Sequence, residues 1–586
     1  MAETIVSPGV FTRERDLSFL PQGVAEIGAV FVGPTVKGPA FVPTQVQSFN
    51  EFQQKFGPLT DRSYLPYSVQ SYLQDAPNAT IVRVLGTGSE AASTQWVSGS
   101  VDAPGGLFKF HTISHGDVSN HEVKVYISNL RPPKSVPGTN YGDFQVTVRR
   151  VDTTTTSSAA LSASYYFGSN IEDNDRRPNI VEQFYNVNLD PSSPQYIKRI
   201  IGDRYMTVIT GSGTDWKLAS NGDYPNNSIY IRVEVSSSVD DGDISYEHAM
   251  PNTGSAGWLG VTSSMSFTGG SNGGGFSASN AYVGDQIIPS NTQGFDCSSE
   301  DSTGTEIIKG ALSIVGNPDE VDMNMLILPG FIHSLHPFVT NAATNLCETR
   351  GDTFYVMDLD GLTGSIAQAV AACATFDSNY VATYYPWVKI LDTAKNKPMW
   401  VPPSVVLPGV IAFNDQVAAE WYAPAGLNRG GLPNVIDVKE RLKHSERDTL
   451  YVARINPIAT FPGQGATVFG QKTLQSRPSA LDRINVRRLL IAVKKFIAST
   501  SRYLLFEQNT AATRNRFLSI VNPYLESIQQ RNGLYAFRVV MDDTNNTVDM
   551  IDRNMLKGDI FLQPTKTAEF IVLDFTVLPT GAVFPE

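Results

Sequence analysis

The sequence predicts a multidomain α+β protein, in which an α/β domain is interrupted by an all-β insertion and followed by a C-terminal α+β domain. The chain has 586 residues, which is too long for a single hydrophobic core. Short runs that alternate apolar and polar residues fill 90–289, whereas strand and helix patterns alternate before and after that stretch. Two long amphipathic helices follow near the C-terminus.

The composition is that of a folded protein with few charges. Apolar residues make up 41% of the chain and charged residues 17%, against about 25% charged in an average soluble domain. We therefore expect neighbouring molecules to cover much of the surface. The net charge of −12 argues against nucleic-acid binding, which needs a cationic surface. The three cysteines form no CxxC pair, so we expect neither a disulfide framework nor a zinc site.

The N-terminal region begins with a strand pattern that has no local partner. Residues 10–15 alternate after Pro8-Gly9, and a lone strand is not stable in water. We expect it to pair with a distant segment or with another chain. We expect no signal peptide, because residues 1–8 are short and acidic, and no membrane span, because no uncharged apolar run reaches about 18 residues.

An α/β pattern follows at 24–86. Residues 27–32 and 80–85 read as buried strands. Between them, Ser48 with Glu51 predicts a capping box for a helix that ends at Gly57, and residues 64–75 predict a second helix. The insertion shows no long helical period, which predicts a sandwich or barrel. Its clearest strand patterns are 107–113, 122–127, 144–151 and 228–235.

Between 300 and 450, predicted strands at 324–328 and 353–358 alternate with predicted helices at 338–350 and 366–374. This alternation predicts a largely parallel sheet with helices on both faces.

The C-terminal segment holds the two clearest helices. In the first, residues 484–501, an apolar stripe faces one side. The opposite face carries six cations: Arg483, Arg487, Arg488, Lys494, Lys495 and Arg502. The second helix begins near Thr510 and ends at Asn532-Gly533. Three strands are predicted after it, at 534–541, 559–563 and 569–577.

These landmarks resemble the contractile tail sheath family of phages and related contractile injection systems. The resemblance covers residues 5–86 and 290–586 and rests on many short motifs in a fixed order. The motifs are SPGVF at 7–11, FVGP at 31–34 with SFNEFQQKFG at 48–57, YYPW at 384–387, PPS at 402–404, WYAPAG at 421–426, GQKTL at 470–474, NVRRLL at 485–490, FEQNT at 506–510 and AEFI at 568–571.

The resemblance implies a subtilisin-like α/β domain with an inserted all-β domain and a C-terminal α+β domain with extended terminal arms. The implied organisation is an N-terminal arm at 1–20, the first part of the α/β sheath domain at 21–89, a β-rich outer insertion at 90–289, the non-catalytic subtilisin-like domain at 290–455, an inner domain at 456–577 and a C-terminal arm at 578–586.

The resemblance also implies a function. Subunits would stack as six-fold rings into a helical homo-oligomer around a tail tube, and contract to drive the tube through the host envelope during genome delivery. The implied partners are the tube protein, the baseplate and the tail-terminator or neck proteins, with no direct nucleic-acid contact, no stable membrane insertion and no cofactor. The implied location is the virion, after assembly in the host cytoplasm.

Two sets of site residues follow from this resemblance. The arms would donate strands to neighbouring subunits through Val10, Phe11, Arg13, Phe570, Ile571 and Phe575. The six cations of the first C-terminal helix would face the tube or a neighbouring subunit, although a solvated helix face is the simpler alternative.

Two other classes of protein are alternatives to a sheath subunit. A serine hydrolase of subtilisin-like fold needs a His-activated nucleophile, and none of the seven histidines sits in a Gly-rich, helix-starting sequence of the protease type. Asp358 ends a predicted strand where a catalytic Asp could sit, but capping at the surface is the favoured role. A capsid or adhesin subunit would explain the β-rich texture, yet not the ordered motifs.

The histidines are the remaining candidates for chemistry. His111, His115 and His121 are close in sequence, but they lack a nearby cysteine or carboxylate cluster, so an exposed loop is favoured over a metal site. His333 and His336 are expected to cap the following helix or to lie in a loop. The sequence predicts no catalytic, cofactor or metal site.

Overall fold

The computed structural model describes residues 28–99, 106–136, 139–150, 180–210, 215–251 and 264–569. These residues belong to two compact units. The larger consists of residues 28–492 and 564–569, and the smaller of residues 493–563.

The first region of the larger unit contains three strands and two helices. These are β1 (Ala29–Gly33), β2 (Thr44–Val46), α1 (Phe49–Phe56), α2 (Leu65–Tyr72) and β3 (Ala79–Arg83). Ser48 caps α1 by accepting from the Glu51 amide at 3.2 Å, as predicted. The reciprocal half of the capping box is wrong, because Glu51 accepts from the Gln47 amide instead. Gly57 ends the helix with φ at +95°, a conformation that favours glycine.

Strands dominate the described part of the insertion. They are β4 (Ala91–Ser93), β5 (Phe108–His115), β6 (Val123–Arg131), β7 (Asp143–Arg150), β8 (Ile180–Val187), β9 (Tyr205–Thr210), β10 (Trp216–Asn221), β11 (Ile231–Val235) and β12 (Ser264–Met265). Three single-turn helices accompany them, at Ser119–Glu122, Ile197–Ile201 and Ser237–Asp240. The strands pair antiparallel as β11-β5-β4, β12-β6-β7-β8 and the β9-β10 hairpin. Alternate residues of β5 and β6 enter a separate hydrophobic core that includes Phe108, Phe110 and Val125.

The central region alternates helices and strands. The elements are α3 (Thr303–Ile314), β13 (Met325–Ile332), α4 (Pro337–Arg350), β14 (Phe354–Asp358), α5 (Ile366–Cys373), β15 (Val381–Tyr385), β16 (Val388–Asp392), β17 (Lys397–Val401), α6 (Pro403–Val417), β18 (Val435–Val438), α7 (His444–Val452), β19 (Asn456–Phe461) and β20 (Gly465–Val468). A small antiparallel sheet in the order β17-β16-β18, which the sequence patterns do not predict, lies within it.

An eight-stranded sheet joins the first and central regions in the order β2-β3-β1-β13-β14-β15-β19-β20. The six strands from β3 to β19 are parallel, as the alternating pattern predicts. Successive residues of β1 point to opposite faces, so Val30 and Phe31 enter different cores. The Phe31 face is covered by α2 and α6, and the Val30 face by α3 and α4.

The C-terminal region contains α8 (Ile484–Ser501), α9 (Ala511–Gln530), β21 (Leu534–Val540), α10 (Val548–Asp552) and β22 (Asp559–Pro564). The observed bounds of α8 are those that the sequence predicts. Thr510 caps α9, because its side chain accepts from the Thr513 amide at 3.4 Å. The third predicted strand, 569–577, lies outside the described residues except for Glu569.

Candidate assembly surface

The smaller unit is built on one long amphipathic helix. In α9, apolar residues recur every three or four positions, and the stripe that they form is buried in the hydrophobic core of this unit. Its members are Phe517, Val521, Leu525 and Ile528. The helix packs on β21, where Leu534 is 2% exposed. A small core therefore supports one face of the C-terminal sheet.

The C-terminal sheet has only two strands in the described part of the chain, β21 and β22. Each therefore has one hydrogen-bonded neighbour among the described residues. Tyr535 on β21 and Phe561 on β22 are each 60% exposed. A two-stranded sheet is marginal by itself in water, and an open strand edge is a template for pairing with another chain. This sheet is therefore the best candidate for strand addition.

Further apolar side chains are exposed between α8 and α9. Tyr503 is 72% exposed and Leu505 is 65% exposed. The neighbouring Phe506 is fully exposed and has φ at +67°, which is uncommon for a bulky side chain. Large apolar groups exposed together are typical of interaction sites.

The structure separates the six cations that the helical period places on one face. Arg487 is 3% exposed and Arg488 is 7% exposed, so the prediction that these two face the tube is wrong. The physical reason is that the first half of α8 packs inside the larger unit, where other elements supply its partners. A helical period identifies which residues share a face, but it cannot identify what covers that face.

Arg488 forms a buried ion pair with Asp415 on α6. Its Nη1 donates to Asp415 Oδ1 at 2.8 Å, and its second terminal nitrogen donates to Oδ2. Burial alone would lower the pKa of the Arg488 guanidinium, but the Asp415 carboxylate outweighs it and the pKa is raised. The neighbouring Arg487 guanidinium lies 3.6 Å from the centre of the Tyr380 ring, a cation–π contact.

The other four cations remain at least partly exposed. Arg483 pairs with Glu569 within the larger unit. Lys494 and Arg502 are exposed and Lys495 is partly exposed. A tube-facing role for these residues stays a prediction. The predicted arm residues lie outside the described residues: Val10, Phe11, Arg13, Phe570, Ile571 and Phe575.

Glu569, the last described residue, accepts four hydrogen bonds from three side chains of the larger unit. Arg483 donates from Nε to Oε1 at 2.6 Å and from a terminal nitrogen to Oε2 at 2.9 Å. The Tyr451 hydroxyl donates to Oε2 at 2.8 Å, and Gln471 Nε2 donates to Oε1 at 3.0 Å. Burial raises the pKa of the Glu569 carboxyl, but these hydrogen bonds outweigh it, so the pKa is lowered. No sequence motif predicts this arrangement, because its parts are up to 118 positions apart.

Asp358 is a buried helix cap. It is 1% exposed, so its predicted location at the surface is wrong, whereas the capping role is confirmed. Its Oδ1 accepts from the Ser404 amide at 3.0 Å, at the start of α6, and its Oδ2 accepts from the Ser404 hydroxyl at 2.5 Å. The Gly330 amide also donates to Oδ2, at 3.2 Å. Burial raises the pKa of this carboxyl to about 6, although the three hydrogen bonds oppose the shift. These three hydrogen bonds connect the end of β14 to β13 and α6, which is a structural role.

Part of the crevice where parallel α/β sheets usually bind ligands is occupied by residues 292–293 of the chain itself. Such sites lie at the carboxyl ends of the strands where the strand order reverses, which is between β1 and β13 here. Gln293 donates to the Pro329 carbonyl at 2.8 Å and accepts from the Tyr64 amide at 2.9 Å. Thr292 donates to the Gly330 carbonyl at 2.7 Å. Thr292 and Gln293 are almost completely buried.

The histidines have structural surroundings. His111 and His115 lie on β5, so the expected exposed loop is wrong for both. The His111 ring nitrogen lies 2.6 Å from Glu234, and burial lowers the pKa of both rings to about 4. His333 and His336 lie in the turn between β13 and α4, which confirms the loop alternative. His336 occupies the N-cap position of α4 but makes no side-chain capping hydrogen bond; its Nδ1 accepts from the Ile332 amide. His333 lies 2.8 Å from the Thr340 hydroxyl.

The described residues include neither a metal-binding cluster nor a helix that could cross a membrane. They contain no group of three or more His, Cys, Asp or Glu side chains arranged to hold a metal ion. None of the helices in the described ranges is long and apolar enough to cross a membrane.

Comparison with known proteins connects this architecture to one family. Residues 302–474 match the model of the phage tail sheath protein central domain, and residues 476–577 match that of the phage tail sheath C-terminal domain. The chain is 41% identical over 213 residues to the tail sheath protein of Vibrio phage KVP40 and 39% identical over 213 residues to that of Enterobacteria phage T4. Each alignment covers 36% of this chain and 31% of the relative, so the match spans less than a third of the relatives' length.

A likeness to a solved structure extends over nearly the whole chain. The crystal structure of a sheath tail protein from Listeria innocua aligns with a TM-score of 0.50 and 10% sequence identity. The alignment covers 92% of this chain and 96% of that protein. At this identity the likeness concerns the fold alone.

Proposed function

Because the chain belongs to the contractile tail sheath family, we propose that it is a structural subunit that polymerises helically around a tail tube. Contraction of this polymer drives the tube through the host cell envelope and delivers the genome. The role is mechanical and not catalytic. The subunit assembles in the host cytoplasm, becomes part of the virion and contacts the tube, the baseplate and the neck or tail-terminator proteins. We also propose that its central α/β domain is subtilisin-like.

The sheet of β21 and β22, which has two strands among the described residues, carries the proposal. An extended segment of a neighbouring subunit would add a strand to it through main-chain hydrogen bonds. Donor and acceptor surfaces would differ, so each contact would be head-to-tail and would propagate as a helix. The exposed Tyr535 and Phe561 supply side-chain contacts for such a strand.

Strand addition also suits a lattice that changes shape. Arms of extended chain would keep subunits connected while the rigid bodies rotate between the extended and contracted states. The exposed cations of α8, such as Lys494, would make weak contacts with the tube, of about 0–1 kcal/mol each. Contacts of this strength can be exchanged during contraction.

Deletion of residues 2–18 tests the proposal. We expect the truncated chain to fold, as judged by its circular dichroism spectrum and unfolding midpoint, and to remain monomeric. The full-length chain should form tubular polymers that negative-stain microscopy detects. Contractile tubes from the truncated chain would contradict the exchange of the N-terminal arm. Absence of tubular polymers from the full-length chain mixed with its tail tube would contradict the sheath function itself.

A further inference from the structure

The last described residues of the chain are held by a cluster of polar side chains on the larger unit. We name this site the Glu569 socket and define it by Tyr451, Gln471 and Arg483. These three residues direct four donors at one carboxylate, with donor–acceptor distances from 2.6 to 3.0 Å. Gln471 also donates to the Thr567 hydroxyl, which adds a second point of attachment. Charge-assisted, bidentate bonds of this kind are roughly twice as strong as neutral ones.

The socket is held by the framework around it. The chain around Gln471 runs antiparallel to the chain that leads into α8: the Ile484 amide donates to the Gln471 carbonyl at 2.9 Å, and Lys472 bridges to Arg483. The Lys472 ammonium donates to the Tyr451 carbonyl at 2.7 Å and lies 4.1 Å from the centre of its ring. The backbone around the three socket residues is therefore held by contacts that do not involve Glu569.

The segment that the socket holds has no regular structure of its own. β22 ends at Pro564, and residues 565–569 form neither helix nor strand. Thr567 and Ala568 are exposed, whereas Glu569 is partly buried. The Thr567 and Glu569 side chains attach this segment to the rest of the larger unit.

We propose that the Glu569 socket anchors the root of the C-terminal arm to its own subunit, so that the part of the chain available to a neighbouring subunit begins after residue 569. This inference rests on the proposed function. An arm that joins two subunits carries load when they rotate, and a paired strand can be peeled away one hydrogen bond at a time. A clamp on Glu569 stops that load from reaching β22.

The anchor can be measured on the monomer, independently of assembly. Trypsin cleaves after Lys566, which lies within the anchored segment, and after Lys557, which precedes β22 and serves as an internal control. Cleavage requires local opening of the chain. We expect Glu569→Gln to accelerate cleavage after Lys566 by about tenfold, since the lost bonds are partly exposed to solvent, and to leave cleavage after Lys557 unchanged.

A matched control substitution is Glu306→Gln, at an exposed position of α3. It should leave both cleavage rates at the wild-type value. Equal rates after Lys566 in the wild type, Glu569→Gln and Arg483→Met would overturn the anchor. Because this assay uses monomers, its result does not depend on whether the chain forms a sheath.

A charge exchange then links the anchor to assembly and identifies which subunit fills the socket. We expect Arg483→Glu and Glu569→Arg each to reduce polymerisation on tubes at least tenfold, and the double variant to restore it. If an equimolar mixture of the two single variants polymerises like the wild type, the socket receives Glu569 from a neighbour and the proposed anchor within one subunit is wrong. If the wild-type chain itself does not polymerise on tubes, the proposed function is contradicted instead.

Discussion

The buried pair between Arg488 and Asp415 gives the sharpest test of whether Arg488 on α8 stabilises its own subunit or contacts a partner. We consider Arg488→Met, which keeps the length and apolar stem of the side chain and removes its charge. The Arg488 side chain is 8% exposed and the Asp415 side chain 27% exposed. The substitution therefore leaves Asp415 without its bidentate partner in a site that water reaches only partly.

The expected loss follows from this geometry. Removing one member of a buried pair costs about 3–5 kcal/mol of the free energy of unfolding. Because Asp415 retains some contact with solvent, we expect the lower end, about 3 kcal/mol. The double variant Arg488→Met with Asp415→Asn removes both charges and should recover about 2 kcal/mol of that loss.

Urea unfolding of the monomer, followed by circular dichroism, measures these differences. They should appear as shifts in the urea concentration at the midpoint of unfolding, with no change in the slope of the free energy of unfolding against urea concentration. Lys494→Met is the matched control, because Lys494 is exposed on the same helix. It should change the free energy of unfolding by less than about 0.5 kcal/mol. The reasoning is refuted if Arg488→Met unfolds at the same midpoint as Lys494→Met but fails to assemble on tubes. That result would mean that Arg488 faces a partner and not Asp415.

Three further predictions concern the cap, the open sheet and the exposed lysines. The pKa of Asp358, raised to about 6 from 3.8, means that between these pH values the folded chain holds a proton that the unfolded chain has released. The free energy of unfolding should therefore fall as pH rises through this window, so the urea midpoint of the wild type should be lower at about pH 7 than at about pH 4. Asp358→Asn should abolish this difference between the two midpoints. Tyr535→Asp with Phe561→Asp should change monomer stability by less than about 1 kcal/mol but abolish sedimentable polymer; normal polymer would exclude this sheet from the interface. Lys494→Glu with Lys495→Glu should weaken co-assembly with tubes most at low salt, and a salt-independent effect would contradict an electrostatic tube contact.

The sequence by itself determined the elements whose signal is local. The apolar period of 3.6 residues predicts α8 with its observed bounds, and Thr510 predicts the start of α9. Alternating strands and helices predict the parallel pairing around β13 and β14. Each of these signals lies within a short stretch of chain, so it can be read without knowing what packs against it.

Some elements were missed because their sequences carry no distinctive period. The hairpin of β9 and β10 and the small sheet around β16 consist of short, partly exposed strands. Strand preference depends on the neighbours that cover each face more than on the backbone. These strands are therefore identified only in the tertiary structure, where the strands that pair with them are known.

Tertiary structure alone decided what the charged residues of the candidate site do. The helical period puts Arg488 and Lys494 on one polar face, but Arg488 is buried and pairs with Asp415, 73 positions away, whereas Lys494 is exposed. Arg483 likewise meets Glu569 across 86 positions. Local sequence determines which side chains share a face, since that follows from backbone geometry. The partner of each face is a long-range property of the fold, and it separates the cations that are buried inside the subunit from those that remain exposed.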